Sequence, residues 1–247
     1  SKRELGLSDV EMGIFDHMLA HSYGIIFVTG PTGSGKSTTL YTALSELNTE
    51  NVNIVTVEDP VEADIEGINQ IQVNPKVNLT FASALRSILR QDPDIIMIGE
   101  IRDRETASIA VQASITGHLV VSTMHTNNAV GTLNRMADMG VESYLIADSM
   151  VGVIAQRLVR KLCPHCRKSH MATAEEKKLL RLPPDKEKEI YEPGGCNFCN
   201  QTGYFGRIGV FEMMEVNDEM RKLISANAST ETLTEAARRT GMHTLRE

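Results

Sequence analysis

Four groups of residues in this chain have types and spacings that can do chemistry. The most specific is Gly30-Pro31-Thr32-Gly33-Ser34-Gly35-Lys36-Ser37, an ungapped match to G-x-x-x-x-G-K-[ST]. Its glycines let the backbone curl so that successive N–H groups point inward, an anion nest at the positive end of a helix. Lys36 is spaced to reach β- and γ-phosphates and the Ser37 hydroxyl to ligate Mg²⁺, and Thr38 is counted with them as a nucleotide contact. A ligand-free glycine-rich turn is the competing reading, and the strand before the loop and helix after it count against that.

The second group is acidic. Val52-Asn53-Ile54-Val55-Thr56-Val57 runs into Glu58-Asp59-Pro60-Val61-Glu62, and Ile95-Ile96-Met97-Ile98 closes on Gly99-Glu100. Acids just past the C-terminal ends of parallel strands lie where open α/β sheets bind ligands. Such a carboxylate can orient or deprotonate the water that attacks a γ-phosphate, or hold Mg²⁺ through water. Four apolar residues and then an acid, downstream of a P-loop, favour that role for Glu100. For Glu58 a solvated acidic turn is the simpler reading on the residues alone. The third group is histidine: Leu119 to Met124 reads as a buried strand with His125 past its end and His118 at its start. His125 is a candidate sensor of a γ-phosphate, although a lone histidine is more often structural.

The fourth group pairs Cys163-Pro164-His165-Cys166 with Cys196-Asn197-Phe198-Cys199. An x₂ spacing lets both thiolates of a knuckle meet one ion, and two knuckles complete a closed, structural Zn–S₄ site. The 29 intervening residues are polar and charged and exceed the usual ribbon spacing. Redox use of one C-x-x-C pair is the weaker alternative. His165 and His170 are spare candidate ligands.

These groups need elements that set them on one rim. Ile25-Ile26-Phe27-Val28-Thr29 reads as a buried strand before the loop, and Leu40, Leu44 and Leu47 follow it at helical spacing. A helix is expected from Ser8, with Met12, Phe15, Met18 and Leu19 packed on the core; a place beside the nucleotide base is its alternative role. Further helices are expected over 81–90, from Asp103 to Gly117, over 128–139 and over 142–162. The last carries Val151, Ile154, Leu158 and Leu162 at helical spacing, with Arg157, Arg160 and Lys161 toward its end. Asp94 reads as a turn residue, and Arg102 and Arg104 as a solvated helix start rather than phosphate ligands. Gly203 to Glu212 is expected to form a turn and a final strand, and 218–247 a helical tail split at Gly241. The chain stops at Thr244-Leu245-Arg246-Glu247 without a helix-ending signal, which suggests an incomplete end.

Composition bounds the function. A chain of 247 residues with 41% hydrophobic content suits one large domain, or a domain with a smaller appendage, around a packed core. No apolar run approaches the roughly 18 residues a membrane span needs, and no signal-peptide pattern opens the chain. A soluble, cytosolic protein is therefore expected, in which paired cysteines mean metal rather than disulfides. The formal charge of −7, with 4% aromatics and no Trp, argues against nonspecific grip on nucleic acid and against base-stacking platforms.

Together these motifs resemble the secretion ATPases of type II secretion and type IV pilus assembly (extension), over nearly the whole chain. The segments are a P-loop like Gly30–Ser37, an "Asp box" like Thr56-Val57-Glu58-Asp59-Pro60-Val61-Glu62 and a Walker B segment like Gly99-Glu100-Ile101-Arg102-Asp103. A "His box" like Gly117-His118 through His125-Thr126-Asn127 completes them in family order. The resemblance implies an α/β, RecA-like P-loop core with a mainly parallel sheet over 1–162. A tetracysteine zinc insert would span 163–206, and a final strand with C-terminal helices 207–247. It implies Glu58 and Glu100 near the attacking water and Mg²⁺, His125 sensing the γ-phosphate, and Arg207 among the nucleotide contacts. The implied cofactors are ATP, Mg²⁺ and Zn²⁺. The implied assembly is a homohexamer on the cytoplasmic side of a bacterial inner membrane, served by platform and adaptor proteins and touching the membrane only through them. The tetracysteine insert, followed by Gly206-Arg207-Ile208-Gly209-Val210-Phe211-Glu212, is similar to assembly members rather than retraction members. Two departures are expected to limit hydrolysis by this stretch alone: the family has a further N-terminal domain that supplies arginines, and it continues past Glu247. Other classes fit less well. A nucleic-acid-dependent motor conflicts with the acidic balance, a small-molecule kinase lacks a basic lid, and a pure zinc module would leave the P-loop idle.

Overall fold

Apolar runs of strand length alternate with helical periods along this sequence, and that alternation builds a parallel sheet covered on both faces. The computed structural model describes residues 1–247. Helices α1 (Lys2–Leu5) and α2 (Asp9–Leu19) lead into β1 (Gly24–Thr29), α3 (Lys36–Leu47) and β2 (Ile54–Glu58). Next come β3 (Asn69–Gln72), α4 (Phe81–Ile88), β4 (Ile95–Ile98), α5 (Arg104–Ile115) and β5 (Leu119–Met124). Helices α6 (Ala129–Asp138) and α7 (Ser143–Ser149) precede the long β6 (Met150–Leu162). The chain then forms β7 (Lys168–Met171), α8 (Ala174–Leu179), β8 (Glu189–Glu192), β9 (Tyr204–Glu215), α9 (Asp218–Ser225) and α10 (Thr230–Arg239). No helix is long and apolar enough to cross a membrane.

The seven-stranded sheet runs β3-β2-β4-β5-β1-β6-β9. Strand β1 pairs in parallel with β5 and β6, β4 with β5 and β2, and β2 with β3. The β1–β5 register runs from Gly24↔Leu119 to Thr29↔Met124, so the residues that follow, Gly30 and His125, leave the sheet at the same edge. Because β5 separates β1 from β4, the P-loop, His125 and Glu100 emerge from three neighbouring strands.

Alternation along each strand divides the core between the two faces. Ile25 and Phe27 of β1, with Val55, Val57, Ile96 and Ile98, pack under α4 to α7 and the C-terminal helices. Ile26 and Val28 point the other way, onto Phe15, Met18 and Leu19 of α2 and Leu40, Ala43 and Leu44 of α3. Caps fix where the helices begin: Ser8, Asp103 and Asn128 each accept a backbone N–H three residues on, as their positions in the sequence suggest.

The expected helix over 142–162 forms only as far as α7; from Met150 the chain is β6. Met150 to Ala155 are all buried, with β1 alongside in parallel. A strand covered on both faces is apolar without a break, and such a run also satisfies helical spacing. The β-branched Val151, Val153 and Ile154 tip the balance to strand. Gly152 fits it closely, since a Cβ there would stand 2.6 Å from the Met214 carbonyl oxygen.

By packing, the chain divides into two compact units, Ser1–Arg157 with Gly209–Glu247, and Leu158–Ile208. In the first, Met220 and Ile224 of α9 and Leu233, Ala236 and Ala237 of α10 share the core of the sheet. The second holds the cysteines and an antiparallel β7–β8 pair, Lys168↔Glu192 to Met171↔Glu189.

Within the first unit, the buried carboxylate of Glu212 accepts the Ala129 N–H at the start of α6 (2.8 Å) and the Leu245 N–H (3.1 Å). Glu212→Ala should lower stability by about 1–3 kcal/mol, because both donors lose their acceptor. A urea midpoint that falls with an unchanged m-value is the expected reading.

Candidate functional site

The loop after β1 is held from behind. Thr29, the last residue of β1, donates its hydroxyl to the Met124 carbonyl (2.8 Å) and accepts from the Thr126 N–H (2.9 Å). The two strand ends on either side of the loop are thereby joined. Only glycine fits at position 30, where a Cβ would meet Ser34 Oγ at 2.5 Å and the Gln156 carbonyl oxygen at 2.6 Å. Gly35 caps α3 in the left-handed region at φ +86°. The buried Gln156 side chain donates to the Ser34 carbonyl (2.6 Å) and accepts from the Thr39 hydroxyl (2.7 Å), tying the loop to the first turn of α3. Lys36 Nζ donates to the carbonyls of Gly30 (2.8 Å) and Pro31 (3.0 Å). Burial lowers the Lys36 pKa, the Glu100 carboxylate opposes that fall, and the Arg157 guanidinium adds to it. Arg157 itself is anchored to the carbonyls of Gln156 and Asn127, both at 2.9 Å.

In front of the loop lies a cleft of about 430 Å³, lined by Thr32, Gly33, Gly35, Lys36, Ser37 and Thr38 and by Glu58, Asp59, Glu62, Glu100 and His125. Glu58 is buried; one oxygen accepts from Thr56 Oγ1 (2.7 Å) and Gln70 Nε2 (3.1 Å), the other from the Tyr41 phenol. Burial, with the Glu58 bond, raises the Tyr41 pKa, so the phenol stays a donor. Glu100 accepts from Arg102 (3.0 Å) and turns its other oxygen to His125 Nε2 at 3.7 Å. The turn that carries Glu100 is sewn to β5 by Thr123, whose hydroxyl donates to the Gly99 carbonyl at 2.5 Å and whose carbonyl accepts from Ile101 N–H at 3.1 Å. Ser37 Oγ donates to Glu62 Oε1 at 3.0 Å. Basic, acidic and hydroxyl groups thus face one open cleft, which is what binding a polyphosphate and activating a water require.

In the second unit the four cysteine sulfurs lie within 4.8 Å of one another. Cys163–Cys196 is 3.9 Å, Cys166–Cys199 3.7 Å and Cys196–Cys199 3.7 Å. Four sulfurs about 2.3 Å from a central zinc stand about 3.8 Å apart, so the donor set fits a closed Zn–S₄ site. The Gly203 N–H donates to Cys199 Sγ at 3.2 Å and the Gly203 carbonyl accepts from Cys163 N–H at 2.9 Å, joining the knuckles. Burial and the surrounding thiols push Cys166 up to about 12. At Cys199 burial acts the same way, but the contacts with Cys196 and Gly203 outweigh it and bring the thiol down to about 6.

A family model described as type II/IV secretion system protein matches residues 1–247. The chain belongs to that family. Type II secretion system protein E of Pseudomonas aeruginosa is 52% identical over 239 residues, covering 97% of this chain and 48% of that protein. Type II secretion system ATPase E of Vibrio cholerae is 52% identical over 236 residues, 96% of this chain and 47% of that protein. Among solved structures, the pilus retraction motor PilT with bound ADP is similar at a TM-score of 0.72 and 31% identity, covering 98% of this chain and 60% of that one. The Legionella pneumophila ATPase DotB is similar at a TM-score of 0.64 and 26% identity, over 95% and 55% of the two chains. The chain spans about half the length of the curated relatives it matches.

The family resemblance and the α/β fold read from the motifs are borne out. Of the residues singled out in the sequence, Glu58, Glu100, His125 and the P-loop from Thr32 to Thr38 meet at one cleft, except Ser34, whose hydroxyl is buried without a partner. Gly30 and Pro31 contribute through their carbonyls to Lys36. His118 lies at the other end of β5, its Nδ1 against the Ala113 carbonyl at 3.0 Å, and Asp94 caps the Asn53 N–H at 2.7 Å. Arg102 is largely exposed, with its guanidinium 3.0 Å from Glu100. Helix α2 contributes no residue to the cleft lining. Arg207 belongs to the second unit, and its link to nucleotide rests on the resemblance. Gln156 and Tyr41 escaped the sequence reading, Gln156 because its stretch reads as helix and Tyr41 because an aromatic at helical spacing reads as core.

Replacing Gln156 with Ala leaves the Ser34 carbonyl and the Thr39 hydroxyl without their buried partner, at a cost of about 1–3 kcal/mol. Amide exchange in the loop over residues 33–37 should quicken well ahead of the rest of the sheet; equal quickening everywhere would contradict a local role.

Proposed function

We propose that this chain is the ATP-hydrolysing part of a type II secretion motor. The observation that carries the reading is the convergence of Lys36, Glu58, Glu100 and His125 on one cleft at the C-terminal edge of a parallel sheet. In this reading the loop N–H groups and Lys36 take the β- and γ-phosphates, which draws Lys36 off the Gly30 and Pro31 carbonyls. Glu100 orients the attacking water, and Glu58, fixed by its three donors, holds the acidic rim in place. His125, beside Glu100, reads the γ-phosphate and passes its presence to α6 through Thr126 and Thr132, whose hydroxyls lie 2.8 Å apart. When bound, Mg²⁺ supplies charge neutralisation across the phosphates, and Ser37 is its hydroxyl ligand.

Identity of 52% to proteins named for type II secretion, against 31% to a pilus retraction motor, favours the secretion and assembly branch. A homohexamer on the cytoplasmic face of the inner membrane, working with platform and adaptor proteins, completes the proposal on the family resemblance. Arg207 is kept in it as a nucleotide contact. The cysteine cluster is assigned a structural zinc ion on the match of its sulfur spacings to a tetrahedron.

In the full-length protein, Lys36→Ala should abolish ATP turnover, and Glu100→Gln should keep nucleotide bound while slowing hydrolysis by about 10² or more. Turnover retained by Lys36→Ala would overturn the reading. Elemental analysis should find one zinc per chain, lost in Cys196→Ser; a metal-free wild type would return the cysteines to redox chemistry.

A further inference from the structure

We propose that Arg157 and Glu212 are positioning residues for hydrolysis: from β6 and β9 they grip the loop that carries His125, and so set where His125 stands against Glu100 and the γ-phosphate. The inference rests on the reading of His125 as the group that meets the γ-phosphate. Strand β5 ends at Met124 and α6 begins at Ala129, so residues 125–128 make the turn between them. Thr126, Asn127 and Asn128 are each tied back to the protein. Thr126 gives its N–H to the Thr29 hydroxyl (2.9 Å), and its own hydroxyl lies 2.8 Å from that of Thr132. The Asn127 carbonyl accepts from Arg157 (2.9 Å), and the Asn128 side chain accepts the Gly131 N–H (2.7 Å). Ala129 gives its N–H to Glu212 (2.8 Å). Of the turn, only His125 lines the cleft.

Plain capping does not call for Glu212. Asn128 already caps α6, and burying a carboxylate costs far more than burying a neutral acceptor unless the charge is well bonded. Glu212 is 4% exposed and is bonded at both oxygens, to the Ala129 N–H and to the Leu245 N–H at 3.1 Å. Both partners are main-chain donors, which suits an ionised carboxylate that can only accept. The carboxylate also sits at the positive end of α6, where a helix favours an anion. Its charge-assisted bond fixes where α6 starts, and therefore where the turn before it ends. Arg157 holds the same turn two residues earlier. Its other arm lies on the Gln156 carbonyl (2.9 Å), so the guanidinium spans β6 and the turn.

The grip matters because the contact it serves is at its limit. His125 Nε2 stands 3.7 Å from Glu100 Oε2, just beyond hydrogen-bond distance, so a small shift of the turn makes or loses it. A misplacement of about 1 Å at a reacting centre can cost about 10² in rate.

The test is a double-mutant cycle on the full-length protein, read as the single-turnover rate constant for ATP hydrolysis with enzyme in excess, so that slow variants stay measurable. Glu212→Gln turns an amide N–H₂ toward one of the two main-chain donors, and Arg157→Met keeps the stem and removes the donors. Each should slow hydrolysis about 10- to 100-fold while leaving the affinity for a non-hydrolysable ATP analogue as in wild type. Arg157→Lys, which can still reach the Asn127 carbonyl, should recover most of the rate. In a His125→Ala background neither substitution should slow hydrolysis further, because the group they place is gone. Losses that multiply in the double variants, a wild-type rate in either single variant, or an equal loss of analogue binding overturns the proposal. Should Glu212→Gln not fold, the Arg157 and His125 substitutions complete the cycle alone. A His125→Ala protein as fast as wild type overturns the reading of His125 beneath the proposal, and a wild type that hydrolyses no ATP overturns the ATP site itself.

Discussion

A loop that turns its N–H groups toward one point leaves its carbonyls facing into the protein, and these must be hydrogen-bonded from behind. Much of this structure meets that demand. The Ser34 carbonyl is taken by Gln156 and that of Gly35 by the Thr39 N–H, while the Gly30 and Pro31 carbonyls hold Lys36 until phosphate draws it away. Gln156 can reach Ser34 only because β6 lies beside β1, and the approach leaves room for nothing larger than glycine at position 30. The nest is therefore a property of three elements, β1, α3 and β6, rather than of the loop.

The rim in front of the loop is an electrostatic problem of the opposite sign. Acidic side chains from the ends of β2 and β4 face a space meant for phosphates, and each is held by donors of its own. Tyr41, Thr56 and Gln70 take Glu58, Arg102 takes Glu100, and Ser37 takes Glu62. Such bonds fix where the carboxylates point. They also give the rim its division of labour, since an acid fully engaged by protein donors positions its neighbours, while one with an oxygen turned to the cleft can act on a ligand.

What the sequence disclosed and what it concealed follow from the range of the interactions. The P-loop, the strand before it and the helix after it are local, and their glycine, β-branched and leucine patterns mark them. Glu100 and His125 were legible because a buried strand ending in a polar residue points to the edge where it ends. The cysteine knuckles were legible by their spacing. Strand β6 was not, because Met150 to Ala155 are buried on every side and periodicity cannot tell a strand so covered from a helix. With β6 misread, Gln156 had no reason to attract notice: its partner Ser34 is 122 residues away in sequence. The Glu212 contact to Ala129, 83 residues apart, is hidden for the same reason. Tyr41 and Glu62 lie inside readable segments, but their contacts depend on the turn after β2 reaching across to α3.

The central claim is that loop, carboxylates and histidine form one site for ATP and Mg²⁺. A crystal structure of the full-length protein with Mg²⁺ and a non-hydrolysable ATP analogue tests it most directly. The account requires the β- and γ-phosphates in the loop over residues 30–37, with Lys36 Nζ on phosphate instead of on the Gly30 and Pro31 carbonyls, and with Glu100 and His125 facing the γ-phosphate. Phosphates lodged away from this rim, or Lys36 still bound to its own loop, would contradict it.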